Sequence, residues 1–547
     1  MEIRWLNEAS QKFLNGGYLL PGQTVEERLK IIGDRAETVM KVEGLSQKVQ
    51  QYIANGWISL STPIWSNFGT SRGLPISCFG SYVDDSISSI LSTVAEVGTM
   101  SKYGGGTSTY FGAVRPRGTS ISDNGTSNGT KPFLELFQTC TGTISQGQTR
   151  RGYMAAYIDI FHEDFDEWLN IWKEGDPIQQ ITWGACVPTW WLNEMRAGDA
   201  AKRERWAKVI QNRFETGIPY IFFSDNANNG ESTPEVYKGK NGIKASNLCT
   251  EIFLYSNEDE SFVCDLASLN DLYFEEWENT DCVEVLTFLL DAAMSDFIEK
   301  ASGIKFFERA VNFAKRHRAL GIGRLGYHSF LQSKMIPFES LEARNWNIKI
   351  QKTIKEKAYA ASAKLAEMLG ECEITKGTGR RNSTLLAIAP TTSSAFILGQ
   401  VSQSIEVWNS NYFIKDLAKG KYVIKNKYLE ALLESLGKNT DEIWDSIKKN
   451  HGSVVHLDFL TDMQKRVFLT AKEVSQDEVV IQAAHRQKYI DQGQSLNLFI
   501  ASDKTAKDVN ALMLKAHDMG VKSLYYQHNF NAAQLLTKEL MTCASCE

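Results

Sequence analysis

Tyr153-Met-Ala-Ala-Tyr-Ile-Asp-Ile160 is a short, mostly apolar run, and a helical pattern at Asp164–Trp172 follows it. The same succession returns further along the chain, with an apolar run at Thr182–Val187 and a helical pattern at Trp190–Met195. Short apolar runs that alternate with helices are typical of proteins in which helices cover a sheet. The sequence therefore predicts an α/β fold rather than an all-helical one.

The hydrophobic pattern divides the sequence on either side of this stretch into segments of different predicted structure. Residues 1–57 are predicted to form short amphipathic helices, among them Val25–Val42. The segment Ile58–Tyr82 is rich in Pro, Gly and small residues, which is typical of strands and loops that line a site. Towards the C-terminus, residues 340–370 and 425–450 are each predicted to form an amphipathic helix.

The composition argues against several classes of protein. The 547 residues are 43% hydrophobic and 23% charged, which is ordinary for a globular protein whose core needs no disulfide or metal. A net charge of −6 argues against a nucleic-acid scaffold, and no run approaches the ~20 apolar residues of a membrane span. The nine cysteines are odd in number and scattered, and no signal-peptide pattern precedes them. We therefore expect a reducing, cytoplasmic location.

Asn247-Leu-Cys249-Thr-Glu251 combines three chemically useful side chains at a spacing of two. On an extended segment this spacing directs an amide, a thiol and a carboxylate to one face. The carboxylate can then act as a general base, the amide can hold a hydroxyl group, and the thiol can act as a nucleophile or abstract a hydrogen atom. The alternative is a strand with one buried cysteine, which is common in proteins.

Three further stretches carry thiols or hydroxyls. The first is Leu60-Ser-Thr-Pro-Ile-Trp65 with Ser77-Cys78, and the second is Val263-Cys-Asp-Leu-Ala-Ser-Leu-Asn270. The third, Ala389-Pro-Thr-Thr-Ser-Ser-Ala395, precedes an apolar helix start. Hydroxyls and free backbone N–H groups at a helix N-terminus can bind an anion such as phosphate, although a plain helix cap is the alternative.

The chain ends in a dithiol, Met541-Thr-Cys-Ala-Ser-Cys-Glu547. A cysteine pair at a mobile terminus can reach into a cavity, exchange a disulfide and swing out again. The alternative for a Cys-x-x-Cys pair is half of a zinc site. The other cysteines supply no second pair at metal-ligand spacing, which argues against zinc.

Taken in order, these stretches resemble the catalytic large subunit of class I ribonucleotide reductase, from about Ser59 to the C-terminus. The resemblance implies a ten-stranded α/β barrel over 58–530, preceded by a helical lead-in at 1–57 and followed by a flexible redox-active tail at 531–547. It implies the reduction of ribonucleoside diphosphates to 2′-deoxyribonucleoside diphosphates, which supplies DNA precursors. No counterpart of the family's regulatory ATP-cone is evident, so its on–off control is expected to be missing.

The resemblance also implies roles for individual residues. Cys249, on a loop at the centre of the barrel, would become the thiyl radical that removes the ribose 3′ hydrogen. Glu251 would be the base on the 3′-hydroxyl, and Asn247 would hydrogen-bond the same region. Cys78 and Cys264 would be the reducing pair, which is chemically coherent because two thiols that close to a disulfide supply the two electrons of the reaction.

The expected substrate contacts and the tail follow from the same resemblance. The diphosphate is expected to bind at hydroxyl-bearing residues, namely Thr62, Ser77, Thr391, Thr392, Ser393 and Ser394. Class Ia members usually carry a carboxylate at the position of Thr392, so this loop departs from their pattern. Cys543 and Cys546 would re-reduce the Cys78–Cys264 disulfide and would then be reduced by a thioredoxin or glutaredoxin.

Ser523-Leu-Tyr525-Tyr526 is similar to the family's tyrosine dyad, although adjacent tyrosines are usually ordinary strand residues. The resemblance implies that Tyr525 and Tyr526 pass a radical to the cysteine from a ferritin-like small subunit with a metal centre. This chain would then need no metal and no covalently bound cofactor of its own. Asp85, Ser86 and Arg115 align with the specificity site for a dNTP or ATP effector, which lies at a homodimer interface.

Two alternative functions and one misleading motif remain. A cobalamin-dependent (class II) reductase and a non-catalytic nucleotide-binding or thiol-relay homologue would share the fold; the tyrosine dyad argues against the first. Gly321-Ile-Gly-Arg-Leu-Gly326 matches a dinucleotide-binding pattern. A basic helix rather than a strand is predicted before it, so we interpret the glycines as a tight turn with close packing.

Overall fold

The computed structural model describes residues 2–76, 78–122, 124–144, 152–417 and 420–529. Within these residues, no helix combines the length and the apolar character needed to cross a bilayer. The core is built from helices and strands that alternate along most of the chain. The predicted α/β class is confirmed.

The boundaries of the elements follow. The helices are α1 (Glu8–Leu14), α2 (Val25–Met40), α3 (Leu45–Ala54), α4 (Thr62–Asn67), α5 (Ile87–Lys102), α6 (Lys131–Thr143), α7 (Phe165–Trp168), α8 (Thr189–Ala197), α9 (Ala200–Thr216), α10 (Ser224–Asn229), α11 (Phe274–Trp277), α12 (Cys282–Ala301), α13 (Glu308–His317), α14 (Tyr327–Ser333), α15 (Leu341–Leu369), α16 (Thr392–Ile397), α17 (Lys427–Ser435), α18 (Asp441–Lys449), α19 (Asp462–Val467), α20 (Gln476–Gln487) and α21 (Ala506–Asp518). The strands are β1 (Ile58–Leu60), β2 (Cys78–Tyr82), β3 (Gly106–Tyr110), β4 (Met154–Asp159), β5 (Thr182–Val187), β6 (Tyr220–Phe223), β7 (Phe262–Asn270), β8 (Leu320–Leu325), β9 (Tyr412–Leu417), β10 (Gly420–Lys425), β11 (Leu498–Ile500), β12 (Ser523–Leu524) and β13 (Gln527–Asn529).

The helical lead-in forms for local reasons and packs on the remainder of the chain. Thr24 and Glu27 form a capping box that starts α2, because each side chain accepts a hydrogen bond from the other residue's backbone N–H. The apolar face of α2 packs on α12. Trp5 meets Trp65 edge-on, with ring centroids 6.1 Å apart. The lead-in therefore shares one apolar core with the barrel.

The barrel is a ring of two halves. In the first half, β2, β3, β4, β5 and β6 pair side by side and run parallel. Their residues are buried almost without exception, which is usual for parallel strands with helices on the outside. β7 then pairs antiparallel with β2, and β8 pairs parallel with β7.

The second half is completed by two short segments. Leu386 bridges to Ile322 of β8, and Ile388 bridges to Gln494, both in parallel fashion. Tyr525 N–H donates to the Leu496 carbonyl at 2.9 Å, and β12 pairs antiparallel with β6. The ring thus has ten members, which are β2–β6, β7, β8, residues 385–388, residues 494–497 and β12. The predicted ten-stranded barrel agrees with this arrangement.

Two local predictions differ from the structure. The single helix predicted at 425–450 is two helices, α17 and α18, because Gly437 takes a left-handed conformation (φ 65°) and Thr440 caps a new start. The helix predicted at Asp164–Trp172 is only the short α7, and Trp172 itself has φ 69°. Residues around α17, α18 and α19 form a second, smaller apolar core that the sequence patterns did not reveal.

The glycines of the dinucleotide-like motif lie mainly in a strand. Gly321 and Gly323 belong to β8, so the tight-turn interpretation is wrong for them; Gly326 does turn the chain, with φ 78°. The predicted close packing is present, because a Cβ at Gly321 would lie 3.1 Å from the Cys264 sulfur. The basic helix predicted before the motif is α13.

Candidate active site

The first feature of the site is a cysteine pair across two strands. Cys78 begins β2 and lies directly opposite Cys264 of β7 in the antiparallel ladder. Facing residues in such a ladder point to the same side, with Cα atoms about 4.5–5.5 Å apart. A disulfide spans about 4.4–6.8 Å between Cα atoms, so this register can close to one. Neither of the two cysteines forms a disulfide in the structure.

The second feature is a turn at Asn247–Ile252 beside this pair. The Asn247 amide nitrogen lies 4.0 Å from the Cys78 sulfur. The Asn247 side-chain oxygen accepts backbone N–H bonds from Glu251 (3.0 Å) and Ile252 (3.1 Å). Thr250 has a left-handed backbone, with φ 66°.

The extended conformation considered for this segment is therefore wrong, and the loop that the resemblance implied for Cys249 is present. The turn forms because an Asn side chain can satisfy nearby backbone N–H groups in place of a strand partner. Cys249 is half-buried within the turn, and Asn247 and Glu251 flank it. The amide, thiol and carboxylate are brought together by the turn and not by alternation along a strand.

The pKa of Glu251 is raised above the usual value of a carboxyl group. Its carboxyl group is buried, and this desolvation raises its pKa to about 7. Hydrogen bonds from Asn247, from its own backbone and from Ser495 act in the opposite direction, since they favour the carboxylate. A carboxyl group with a pKa near neutrality can accept a proton and return it, as a general base requires.

Serine and tyrosine hydroxyls from three distant strands hold the turn. The Ser495 hydroxyl lies 2.5 Å from the Cys249 carbonyl oxygen and 3.0 Å from a Glu251 carboxyl oxygen. Ser523, two residues before the tyrosine dyad, donates to the Thr250 carbonyl at 2.8 Å. Tyr157 of β4 donates to the Asn247 carbonyl at 2.7 Å.

The sequence patterns missed Ser495, Ser523 and Tyr157 as site residues. One feature of the sequence could have indicated Ser495. Asp491-Gln-Gly-Gln-Ser495 is a polar run between Ile490 and Leu496 that is buried throughout the stretch. A buried polar run at the start of a barrel strand marks groups that bond to something specific.

A buried glutamine adjoins the cysteine pair. The Gln492 side-chain nitrogen lies 3.6 Å from the Cys264 sulfur, 2.9 Å from the Leu320 carbonyl and 3.1 Å from the Thr384 hydroxyl. Burial raises the pKa of the Cys264 thiol well above its usual value, and the Gln492 hydrogen bond works against that rise. Gln492 was also not foreseen.

The two adjacent tyrosines pack as a dyad, with ring centroids of Tyr525 and Tyr526 4.5 Å apart. Tyr525 is buried, and Tyr526 is partly exposed. A third ring, Tyr220, lies 4.9 Å from Tyr525 and 5.1 Å from Tyr526. Arg213 donates to the Tyr525 carbonyl at 3.1 Å. The dyad directly follows β12, whose Ser523 donates to the turn that contains Cys249.

The predicted phosphate hydroxyls gather around the starts of α4 and α16. Ser394 donates to the Leu60 carbonyl at 3.3 Å, which joins the two helix starts. Thr62 is 3.1 Å from the Tyr18 hydroxyl. The Thr391 hydroxyl accepts the Ser404 N–H, and Thr392 bonds to Gln403 at 3.3 Å. Ser393 lies in the first turn of α16.

The predicted effector residues are also neighbours. Arg115 donates to the Asp85 carboxylate through its backbone N–H (3.0 Å) and its Nε (2.7 Å). Ser86 caps α5 by accepting the Ser89 N–H at 3.2 Å. Ser77, Cys543 and Cys546, which the sequence also singled out, lie outside the described residues.

Comparison with known proteins shows which proteins this chain resembles. A family model described as ribonucleotide reductase, barrel domain, matches residues 76–201, 190–377 and 372–527. The putative ribonucleoside-diphosphate reductase large subunit of Frog virus 3 (isolate Goorha) is 36% identical over 534 residues, which cover 92% of each protein. The ribonucleoside-diphosphate reductase large subunit of Caenorhabditis elegans is 28% identical over 94% of this chain and 75% of its own length.

A solved structure shows the same similarity in three dimensions. The Actinobacillus ureae class Id ribonucleotide reductase alpha subunit superimposes with a TM-score of 0.92 at 53% sequence identity. The match covers 98% of this chain and 99% of that one. Similarity to this group of proteins therefore extends over nearly the whole chain.

Proposed function

The chain belongs to the ribonucleotide reductase family, and we propose that it reduces ribonucleoside diphosphates to 2′-deoxyribonucleoside diphosphates through a thiyl radical on Cys249. The observation that carries the proposal is the ladder pairing of Cys78 with Cys264 beside the Cys249 turn. One site therefore holds the two thiols of the reducing pair, the Cys249 thiol and the Glu251 carboxyl group. The names of the relatives indicate the diphosphate as the substrate form.

The residues divide the chemistry between them. The Cys249 thiyl takes the 3′ hydrogen atom of the ribose and later returns it. Glu251 takes the proton of the 3′-hydroxyl, for which its raised pKa suits it, and Asn247 orients that hydroxyl. Cys78 gives a proton to the 2′-hydroxyl, which leaves as water.

The electron balance is closed by the cysteine pair. Loss of the 2′-hydroxyl as water and its replacement by hydrogen consume two electrons and two protons. Cys78 and Cys264 supply both when their thiols close to a disulfide. A dithiol must then reduce this disulfide before the next turnover. We assign that role to Cys543 and Cys546, with a thioredoxin or glutaredoxin as their own reductant.

A class I large subunit works with a small subunit, and the similarity to a class Id alpha subunit indicates such a partner for this chain. We assign the route of the radical to Tyr526 and Tyr525, because the outer ring is partly exposed and the inner one is buried. Ser523 ties this strand to the Cys249 turn. A metal centre in the small subunit would generate the radical, and the chemistry in this chain is then carried by its own side chains.

An effector site and a homodimer are further parts of the proposal. Asp85, Ser86 and Arg115 cluster at the start of α5. The same helix exposes Ile87 and Leu91, one helical turn apart, at 61% and 54% of their surface. An exposed apolar ridge of this kind favours a second copy of the chain as its cover. A dNTP or ATP bound at the start of α5 would then lie beside that interface.

The substrate diphosphate is assigned to the joined starts of α4 and α16. Thr62, Ser393 and Ser394 supply hydroxyls there. Backbone N–H groups in the first turn of α16 favour a phosphate, whereas Pro63 in the first turn of α4 carries no N–H. The alternatives of a cobalamin-dependent enzyme and a non-catalytic homologue gain no support from the relatives reported above.

The experiment is deoxynucleotide formation from CDP with a dithiol reductant, with and without the metal-loaded small subunit. Product that requires the small subunit supports the proposal. Product with adenosylcobalamin alone would contradict the class I assignment. Retained CDP binding without product under any condition, with partner and effector verified, would contradict the enzymatic function.

A further inference from the structure

The two members of the cysteine pair differ in access. Cys78 is partly exposed at the first position of β2, whereas Cys264 is fully buried within β7. On the neighbouring strand, Gly321 leaves so little space that even a methyl group there would lie 3.1 Å from the Cys264 sulfur. A thiol that enters the site can therefore reach the Cys78 sulfur and not the Cys264 sulfur.

Gln492 presents a fixed donor to the buried sulfur. Its side-chain nitrogen faces the Leu320 carbonyl at 2.9 Å, and its side-chain oxygen accepts the Phe253 backbone N–H at 3.2 Å. A carbonyl can only accept and an N–H can only donate, so the amide has one permitted orientation. The group 3.6 Å from the Cys264 sulfur is therefore the amide nitrogen, whose second N–H is shared between that sulfur and the Thr384 hydroxyl at 3.1 Å.

We propose that reduction of the Cys78–Cys264 disulfide is directional, with attack at Cys78, departure of Cys264 as the thiolate, and Gln492 as the positioning residue that receives it. The inference rests on the proposed function in one respect, that this disulfide forms during turnover. It goes beyond that function because it assigns the attacked sulfur, the leaving sulfur and a residue outside the predicted site.

The exchange balances as follows. The entering thiolate forms a new S–S bond with Cys78 as the Cys78–Cys264 bond breaks, and the bonding pair leaves on Cys264. The Cys264 thiolate then takes a proton. The second thiol of the entering dithiol attacks the first, which releases Cys78 and yields the oxidised dithiol. Two electrons and two protons pass from the dithiol to the pair.

Burial and access favour different cysteines as the leaving group. Burial makes the Cys264 thiolate costly, which by itself favours the half-exposed Cys78 as the leaving group. In-line attack, however, needs access to the attacked sulfur, and Cys264 offers none. The Gln492 N–H offsets part of the cost, because a hydrogen bond to a charged acceptor is stronger than one to a neutral acceptor.

The direction is tested by trapping the mixed disulfide. The full-length chain with Cys543→Ser and Cys546→Ser is oxidised with diamide and treated with excess 2-mercaptoethanol. The reaction is stopped with acid, free thiols are alkylated, and peptides are analysed by mass spectrometry. Mercaptoethanol on Cys78 with alkylated Cys264 is expected. Mercaptoethanol on Cys264, or equally on both, would overturn the direction.

The role of Gln492 is tested with Gln492→Met, which keeps the length of the side chain and removes the donor. Reduction of the disulfide by mercaptoethanol should slow by about 10- to 100-fold. CDP binding should stay unchanged. Gln487→Met is the matched control, since Gln487 donates to the Ile490 and Gln492 carbonyls but not to either sulfur.

The outcomes separate this inference from the proposed function. Equal slowing in both variants would show that Gln492 acts only through the fold of its segment, and would overturn its assigned role. Exchange that is unaffected in Gln492→Met would overturn it as well. A pair that forms no disulfide, either with diamide or after turnover, would overturn the proposed function together with this inference.

Discussion

Ser495→Ala is expected to raise the pKa of Glu251 and so to shift the pH at which the enzyme works. Inside a buried site, Ser495 shares its single hydroxyl hydrogen between the Glu251 carboxyl oxygen at 3.0 Å and the Cys249 carbonyl oxygen at 2.5 Å. This hydrogen bond favours the carboxylate and opposes the burial that raises the pKa to about 7. Removal of the hydroxyl leaves the burial in place and takes away part of what opposes it.

The expected rise in the pKa of Glu251 follows from the strength of the hydrogen bond that is lost. A hydrogen bond to a charged group contributes about 1.5–3 kcal/mol, and one pKa unit corresponds to about 1.4 kcal/mol. The pKa of Glu251 should therefore rise by about 1–2 units in the variant. Because a base acts in its ionised form, kcat/KM should fall by about 5- to 50-fold at pH 7 and recover at high pH.

The assay is the pH dependence of kcat/KM for CDP reduction with the small subunit and effector in excess. Ionisation of the substrate is common to all variants and cancels in the comparison. Ser523→Ala is the matched control, because Ser523 donates to the Thr250 carbonyl in the same turn but not to Glu251. An acid limb that does not move in Ser495→Ala, or that moves equally in Ser523→Ala, would refute the reasoning.

Three further changes probe other parts of the molecule. Gly321→Ala should lower the free energy of unfolding by about 1–3 kcal/mol, since the new Cβ would lie 2.4 Å from Leu266. The control Gly303→Ala should change the free energy of unfolding by less than about 0.5 kcal/mol, because no atom lies within 4 Å of the added Cβ. Urea unfolding midpoints check both variants, and equal effects would contradict the packing argument. Tyr525→Phe should abolish turnover and retain CDP binding by calorimetry, and substantial turnover would contradict the assigned radical route. Leu91→Lys should weaken self-association at least about tenfold in light scattering, because it places charge on the apolar ridge of α5; an unchanged dimer would place the interface elsewhere.

The α/β class was predictable because its evidence is local. The apolar run at Tyr153–Ile160 is long enough to show a buried strand, and β4 occupies Met154–Asp159 within it. The long helix predicted at 340–370 is α15, whose pattern is unbroken. The helix predicted at 425–450 failed at Gly437, where a single left-handed residue outweighs an otherwise continuous amphipathic pattern.

The identity of the central residues was easier to predict than their geometry. The spacing of Asn247, Cys249 and Glu251 indicated that these side chains lie together, but Asn247 accepts two backbone N–H groups and turns the chain. Competition of this kind between a side chain and a strand ladder is not visible in the spacing. Gln492 and Ser495 lie more than 200 residues away in sequence, and only the closure of the barrel brings them to Cys264 and Glu251.

The central claim is that Cys249 carries the radical chemistry, and one measurement tests it most directly. CDP reduction is assayed with the metal-loaded small subunit for the unmodified chain and for Cys249→Ser, with CDP binding measured in parallel. We predict deoxycytidine diphosphate from the first protein, none from the second, and equal binding by both. Product formation by Cys249→Ser at a comparable rate would contradict the account.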